Sequence, residues 1–177
     1  MPRADQRRGR TGNANSNGVP ASWRPYSLSL RLLDNDGSKA FRLNQTAALQ
    51  GMHDAVLAMG WFYLNGVGVE ANEDAAIFWY RKSARQGEER AMFSLGQIAY
   101  LGGDYSEALL WFRRAADKGH QRSDFWIGKM YWRGQGVEKD RREANRYFAR
   151  AAANKLPEAQ RAVRYLGHVA KRKSGSP

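Results

Sequence analysis

One unit recurs along this chain, and it constrains the fold more than any other feature. The stretch from Ala55 to Gly87 reads as a helix, a glycine-rich turn, a second helix and a glycine stop. Its first half carries a small residue and then an apolar–glycine pair, Ala55-x-x-x-Met59-Gly60. The same spacing returns as Ala91-x-x-x-Leu95-Gly96 and Ser123-x-x-x-Ile127-Gly128. Its second half carries Ala76-x-x-Trp79, which returns as Ala108-x-x-Trp111 and Ala144-x-x-Tyr147. Trp79 and Trp111 lie 32 residues apart, Trp111 and Tyr147 36. Self-similarity at such a period marks a repeat array, in which each unit buries its apolar face on the next.

Local chemistry makes each half helical. Ala55, Met59, Gly60 and Tyr63 fall on one face at helical spacing. A glycine inside a helix costs roughly 1 kcal/mol against alanine, so Gly60 implies close approach of a second helix. Gly66-Val67-Gly68-Val69 breaks the helix, with Gly66 suited to a left-handed stop. Gly134-Gln135-Gly136-Val137 repeats this long turn, whereas Gly102-Gly103-Asp104 is short. Gly87 and Gly119 end their helices, and Lys155 stands in the corresponding place.

These residues closely resemble the Sel1-like repeat family, whose pattern is Ala-x-x-x-Leu-Gly-x-x-Tyr, then Gly-x-Gly-Val, then Lys-Ala-x-x-Trp, then Ala-Ala-x-x-Gly. The repeats at either side keep nearly all of it. The middle one lacks the Gly-x-Gly-Val turn and has Ala99 at the tyrosine position, closer to a tetratricopeptide unit. The resemblance implies an all-α fold, a right-handed α/α solenoid of helical hairpins. It also implies that Trp79, Trp111, Tyr147, Tyr63 and Tyr131 are packing residues, with Trp111 buried against Ala91 and Gly96.

The expected organisation has five parts. Residues 1–22, with Arg3, Arg7, Arg8 and Arg10 and almost nothing apolar, form a basic arm too polar to offset ordering entropy. Residues 23–51 form a degenerate N-terminal half-repeat, with Ala40-x-x-Leu43 at the second-helix spacing and Ser38 as a cap. Within it, Tyr26, Leu28, Leu30 and Leu32 alternate with polar residues, so 26–43 reads either as helices or as a hairpin. Residues 52–155 hold three repeats, 156–171 a capping helix with Pro157 at its start, and 172–177 a basic tail.

Composition bounds the function classes. No apolar run approaches the roughly 20 residues of a membrane span, and no secretory leader is visible. The chain has no cysteine, which excludes disulfides and thiolate metal sites and suits a cytoplasmic, bacterial protein. Net charge is +12. Residues 120–155 hold nine Lys/Arg against four Asp/Glu, and residues 156–177 five against one, while 51–119 are near neutral. Such basic ends suit either solubility or a polyanion partner.

Catalytic groupings are absent. His53, His120 and His168 have no partner at metal-binding spacing, and the glycine turns lack the lysine and serine of a phosphate loop. The expectation is therefore a non-catalytic scaffold or adaptor with no cofactor or metal. By analogy with tetratricopeptide repeats, the first helix of each hairpin lines a concave groove. The motif offsets then place Leu57, Phe93 and Phe125; Trp61, Gln97 and Lys129; and Leu64, Tyr100 and Trp132 along it, flanked by Arg90, Arg122 and Arg133. Aromatics with arginine make binding hot spots, so a protein or peptide partner, possibly an acidic one, is expected. Nucleic-acid binding is the alternative, through the basic arm and C-terminal half, with Phe125 and Trp132 as stacking rings beside Lys129 and Arg133. A hydrolase is a third.

Overall fold

The computed structural model describes residues 24–33 and 35–174. The basic arm expected at 1–22 and the last three residues of the tail lie outside them. Among the described residues there are nine helices and no strand, and residues 26–32 and 37–43 lie in helices. The chain divides into two compact units, residues 1–73 and 74–177.

The first unit holds α1 (Arg24–Leu32), α2 (Gly37–Leu49) and α3 (His53–Asn65). Asp36, not Ser38, caps α2, its carboxylate accepting from the Lys39 amide at 2.9 Å. Phe41 seats α2 on α3, edge-on to Phe62 at 5.8 Å and Tyr63 at 5.4 Å. Buried Asn44 donates to the Ala55 carbonyl at 3.0 Å, a polar tie between the same helices.

The second unit holds α4 (Glu73–Arg85), α5 (Glu89–Leu101), α6 (Tyr105–Asp117), α7 (Gln121–Arg133), α8 (Arg141–Ala153) and α9 (Pro157–Ser174). Here α5 with α6, and α7 with α8, are the hairpins. Asp104 and Asp140 cap the second helix of each through side-chain acceptance of first-turn amides. Lys155 takes φ 60° in the terminal turn where Gly87 and Gly119 take 89° and 93°, so the non-glycine residue adopts the same left-handed stop.

The glycines within α5 and α7 are docking points for rings. A Cβ on Gly96 would lie 2.6 Å from Cδ1 of Phe112, and one on Gly128 would lie 2.8 Å from Cδ1 of Phe148. The rings therefore sit where a side chain would be, and the helix backbones close to within glycine distance. Phe112 is fully buried and Phe148 nearly so.

This overturns one expectation. Trp111 is not the buried ring; Phe112 is, and Trp79 and Tyr147 likewise give way to Tyr80 and Phe148. The second helix of each of the three repeats carries an aromatic doublet. Its second ring, four residues after the small alanine, enters the core. Its first ring is half-buried and lies under a cation three residues on: Lys82 over Trp79 at 4.8 Å, Arg114 over Trp111 at 4.9 Å, Arg150 over Tyr147 at 5.4 Å. Tyr63 and Tyr131 are also half-buried rather than internal. Tyr131 stacks on Tyr147 at 5.7 Å, and its hydroxyl accepts from Arg113 at 2.8 Å.

The second glycine of each long turn has a separate role. Gly136, at φ 67°, lies against the backbone that opens α6, where a Cβ would be 2.4 Å from the Tyr105 oxygen. Gly68 meets the Gly37 backbone that opens α2 in the same way. The turn thus docks on the preceding second helix, which only glycine permits.

Truncating the two rings of one doublet distinguishes their roles. Phe112→Ala is expected to cost about 3–5 kcal/mol in urea denaturation, as for buried aromatics, and Trp111→Ala clearly less. A larger loss for Trp111→Ala would return the core position to the tryptophan.

Candidate functional site

The candidate site lies on the first-helix face of the second unit. Along α7, Arg122, Trp126, Lys129 and Arg133 are spaced four, three and four residues apart and share one stripe. Along α5, Arg90, Phe93, Gln97 and Tyr100, spaced three, four and three residues apart, form a second stripe. Between the stripes, and reaching the start of α9, is a cleft of about 210 Å³ lined by Phe93, Gln97, Arg122, Phe125, Trp126, Leu156 and Glu158.

The ring system beside the cleft is interlocked. Trp126 stacks on buried Phe112, centroids 5.5 Å apart and planes 23° apart, and meets Tyr100 edge-on at 4.9 Å. The Lys129 ammonium sits 4.0 Å from the Trp126 centroid and 5.4 Å from that of Tyr100. The Tyr100 hydroxyl donates to Gln135 Oε1 at 2.9 Å and accepts from Arg133 at 3.2 Å. Each side chain limits its neighbour's rotamers, so the platform is ordered before any ligand arrives.

The expected groove residues are thus only partly brought together. Gln97, Tyr100, Arg122, Phe125, Lys129 and Arg133 belong to the cleft or its border. Phe93 lines the cleft but is 9% exposed, because its ring fills space against Phe112 at 5.5 Å and His120 at 4.1 Å. Arg90 is held by Glu88, Nε to Oε1 at 2.6 Å. Trp132 lines a different cleft of about 140 Å³ with Phe148, Ala162, Tyr165 and Leu166. Leu57, Trp61 and Leu64 belong to the first unit, where Trp61 and Leu64 are exposed and Leu57 half-buried. Phe125 and Trp132, the stacking rings of the nucleic-acid alternative, line separate clefts. Lys129 lies over Trp126 and Tyr100, and Arg141 rather than Arg133 lies over Trp132 at 5.1 Å.

Trp126 was missed in the sequence. Its counterparts in the other repeats are Ser94 and Ala58, so offsets read across repeats pass over it. The spacing from Arg122 to Lys129 was the signal that could have found it.

His120 sits behind the cleft. Its ring stacks on Phe93 and its Nδ1 is 3.0 Å from Ser123 Oγ. Burial pushes its pKa below the ordinary value, Glu89 pulls it up, and Arg122 pushes it down again. Among the described residues, no three His, Asp or Glu side chains gather as a metal site, and no helix is long and apolar enough to cross a membrane.

The Sel1 repeat family model matches residues 53–88, 89–120 and 122–156, more than half of the chain. The chain belongs to the Sel1 repeat family. Two solved structures are similar to it. A Sel1 repeat protein from Oxalobacter formigenes superposes with TM-score 0.75 at 27% identity, over 84% of this chain and 64% of that one. The protein c5321, a protective antigen present in uropathogenic Escherichia coli strains that displays an SLR fold, gives 0.71 at 32% identity, over 80% of this chain and 32% of that one. The chain therefore spans under two thirds of the first and about a third of the second. Sel1 repeats generally serve as non-catalytic scaffolds that mediate protein–protein interaction. In this Sel1 repeat chain the three matched segments each contribute one aromatic doublet, and the second and third contribute the cleft.

His120 gives a measurable consequence. With a folded-state pKa below the ordinary 6.5, the unfolded chain binds more protons as pH falls through that value. Stability is fully present above about pH 6.5 and declines below it. An NMR titration should place the His120 midpoint under 6.5, and His120→Phe should flatten the acid-side loss of stability. A midpoint at or above the ordinary value would contradict the buried, stacked placement.

Proposed function

We propose that this chain is a non-catalytic adaptor that binds a segment of a partner protein in the cleft between α5, α7 and the start of α9. The observation that carries the reading is the interlocked Trp126–Tyr100–Lys129 platform beside an open cleft. Ordered aromatics with an adjacent guanidinium are the composition of interface hot spots. Arg122 gives the cleft a cation at one side and Glu158 an anion at another, which suits a segment with an acidic residue next to apolar ones. A cytoplasmic setting goes with this reading, as expected from a chain with no cysteine.

The test uses a partner captured on immobilised full-length chain after nuclease treatment. Trp126→Ala and Phe125→Ala should each weaken its binding by about 2 kcal/mol or more, with only moderate dependence on salt. A partner that binds both variants normally, yet is lost when residues 1–22 are deleted or salt is raised, would show that charge at the chain ends carries the interaction.

A further inference from the structure

The second-helix face carries another cleft, of about 450 Å³, lined by Arg81, Ala84, Arg85, Met92, Trp111 and Arg114. Three guanidinium groups from α4 and α6 surround an apolar floor. Glu107 organises two of the lining groups: it pairs with Arg81 at 3.3 Å and accepts the Trp111 indole N–H at 3.0 Å. Arg114 lies over the indole ring. Among the described residues, Arg85 and Arg114 have no carboxylate partner.

The next repeat shows what such a cleft accepts. One repeat on, 32 residues for the α4 and α5 positions and 36 for those of α6, the counterparts of Arg81, Arg85, Met92, Glu107 and Arg114 are Arg113, Asp117, Asp124, Glu143 and Arg150. There the cation over the ring is neutralised from within, because Asp124 pairs with Arg150 at 3.1 Å. Burial pushes the Asp124 carboxyl up from its ordinary value, Arg150 pulls it down, and Asp117 pushes it up again, so both acids face the same space. In the first cleft these two acids are replaced by Met92 and Arg85. Met92 thus stands where the next repeat has Asp124, no carboxylate among the described residues pairs with Arg114, and a further cation, Arg85, stands beside it.

We propose that the Arg81–Arg85–Arg114 cleft binds an acidic side chain of a partner protein, an Asp or Glu carboxylate pairing with Arg114 above Met92 as Asp124 pairs with Arg150 one repeat later. Planar guanidinium groups match a carboxylate in two-point geometry, and Met92, Ala84 and the Trp111 edge receive the carbon chain that carries it. A nucleic acid fits less well. A phosphate backbone needs a continuous cationic track with stacking faces, whereas the neighbouring Arg146 and Arg150 are held by Glu143 and Asp124 and the Trp111 face is covered by Arg114. Its guanidinium groups come from α4 and α6, it shares no lining residue with the α5–α7 cleft, and it stands or falls independently of it.

The experiment follows the Trp111 indole N–H by NMR, on full-length protein, during titration with a synthetic peptide of alternating Glu and Ala. The resonance, assigned by its loss in Trp111→Phe, is expected to shift and saturate. Arg114→Gln and Arg85→Asp should each weaken this binding by about fivefold or more, the upper range for an exposed ion pair. Met92→Asp, which installs the internal carboxylate of the next repeat, should abolish it. If Met92→Asp does not fold, exposed Arg85→Asp decides alone. An unmoved indole, unchanged affinity in Arg85→Asp, or a tighter response to oligothymidylate than to the peptide would each overturn the proposal.

Discussion

The structure of the second unit depends on a ring replacing a side chain. Phe112 on Gly96 and Phe148 on Gly128 bring two helices closer than any Cβ would allow. A buried aromatic contributes several kcal/mol through area and dispersion, which more than offsets the roughly 1 kcal/mol that glycine costs a helix. The contact also fixes rotation. Once the second ring of the doublet is pinned to the glycine, the first ring must emerge about 100° around the helix, half-buried and facing solvent. A basic residue three positions later then lies over it.

Both faces of the second unit follow from that pin. On the first-helix face, Phe112 is the floor on which Trp126 stacks, and Trp126 in turn holds Lys129. On the second-helix face, Trp111 is the floor of the arginine cleft. One buried ring and its neighbour in sequence thus support two surfaces of different chemistry, one aromatic and polar, the other cationic.

Much of this was legible in the sequence. The Ala-x-x-x-apolar-Gly spacing and the glycine turns pointed to hairpin repeats, because both recur together along the chain. The order within each doublet was not legible. Trp111 and Phe112 stand three and four residues after Ala108, and both offsets return to the same helix face; which ring enters the core is decided by fit against Gly96. The groove residues were legible as a face but not as a surface. Phe93 lies on the expected stripe, yet His120 and Phe112 close over it. Trp126 and the Asp124–Arg150 pair are departures from the repeat, and reading by repeat averages such departures away.

The glycine–ring pin is tested most directly by a double-mutant cycle on Gly96 and Phe112, measured by denaturant unfolding. If the pin is as described, Gly96→Ala destabilises despite alanine's better helix propensity, since its methyl must displace the ring. Phe112→Leu makes room for that methyl, so the double variant should be more stable than the sum of the single losses by about 1 kcal/mol or more, the coupling expected of residues in contact. Strict additivity, or a Gly96→Ala protein more stable than the parent, would contradict the account.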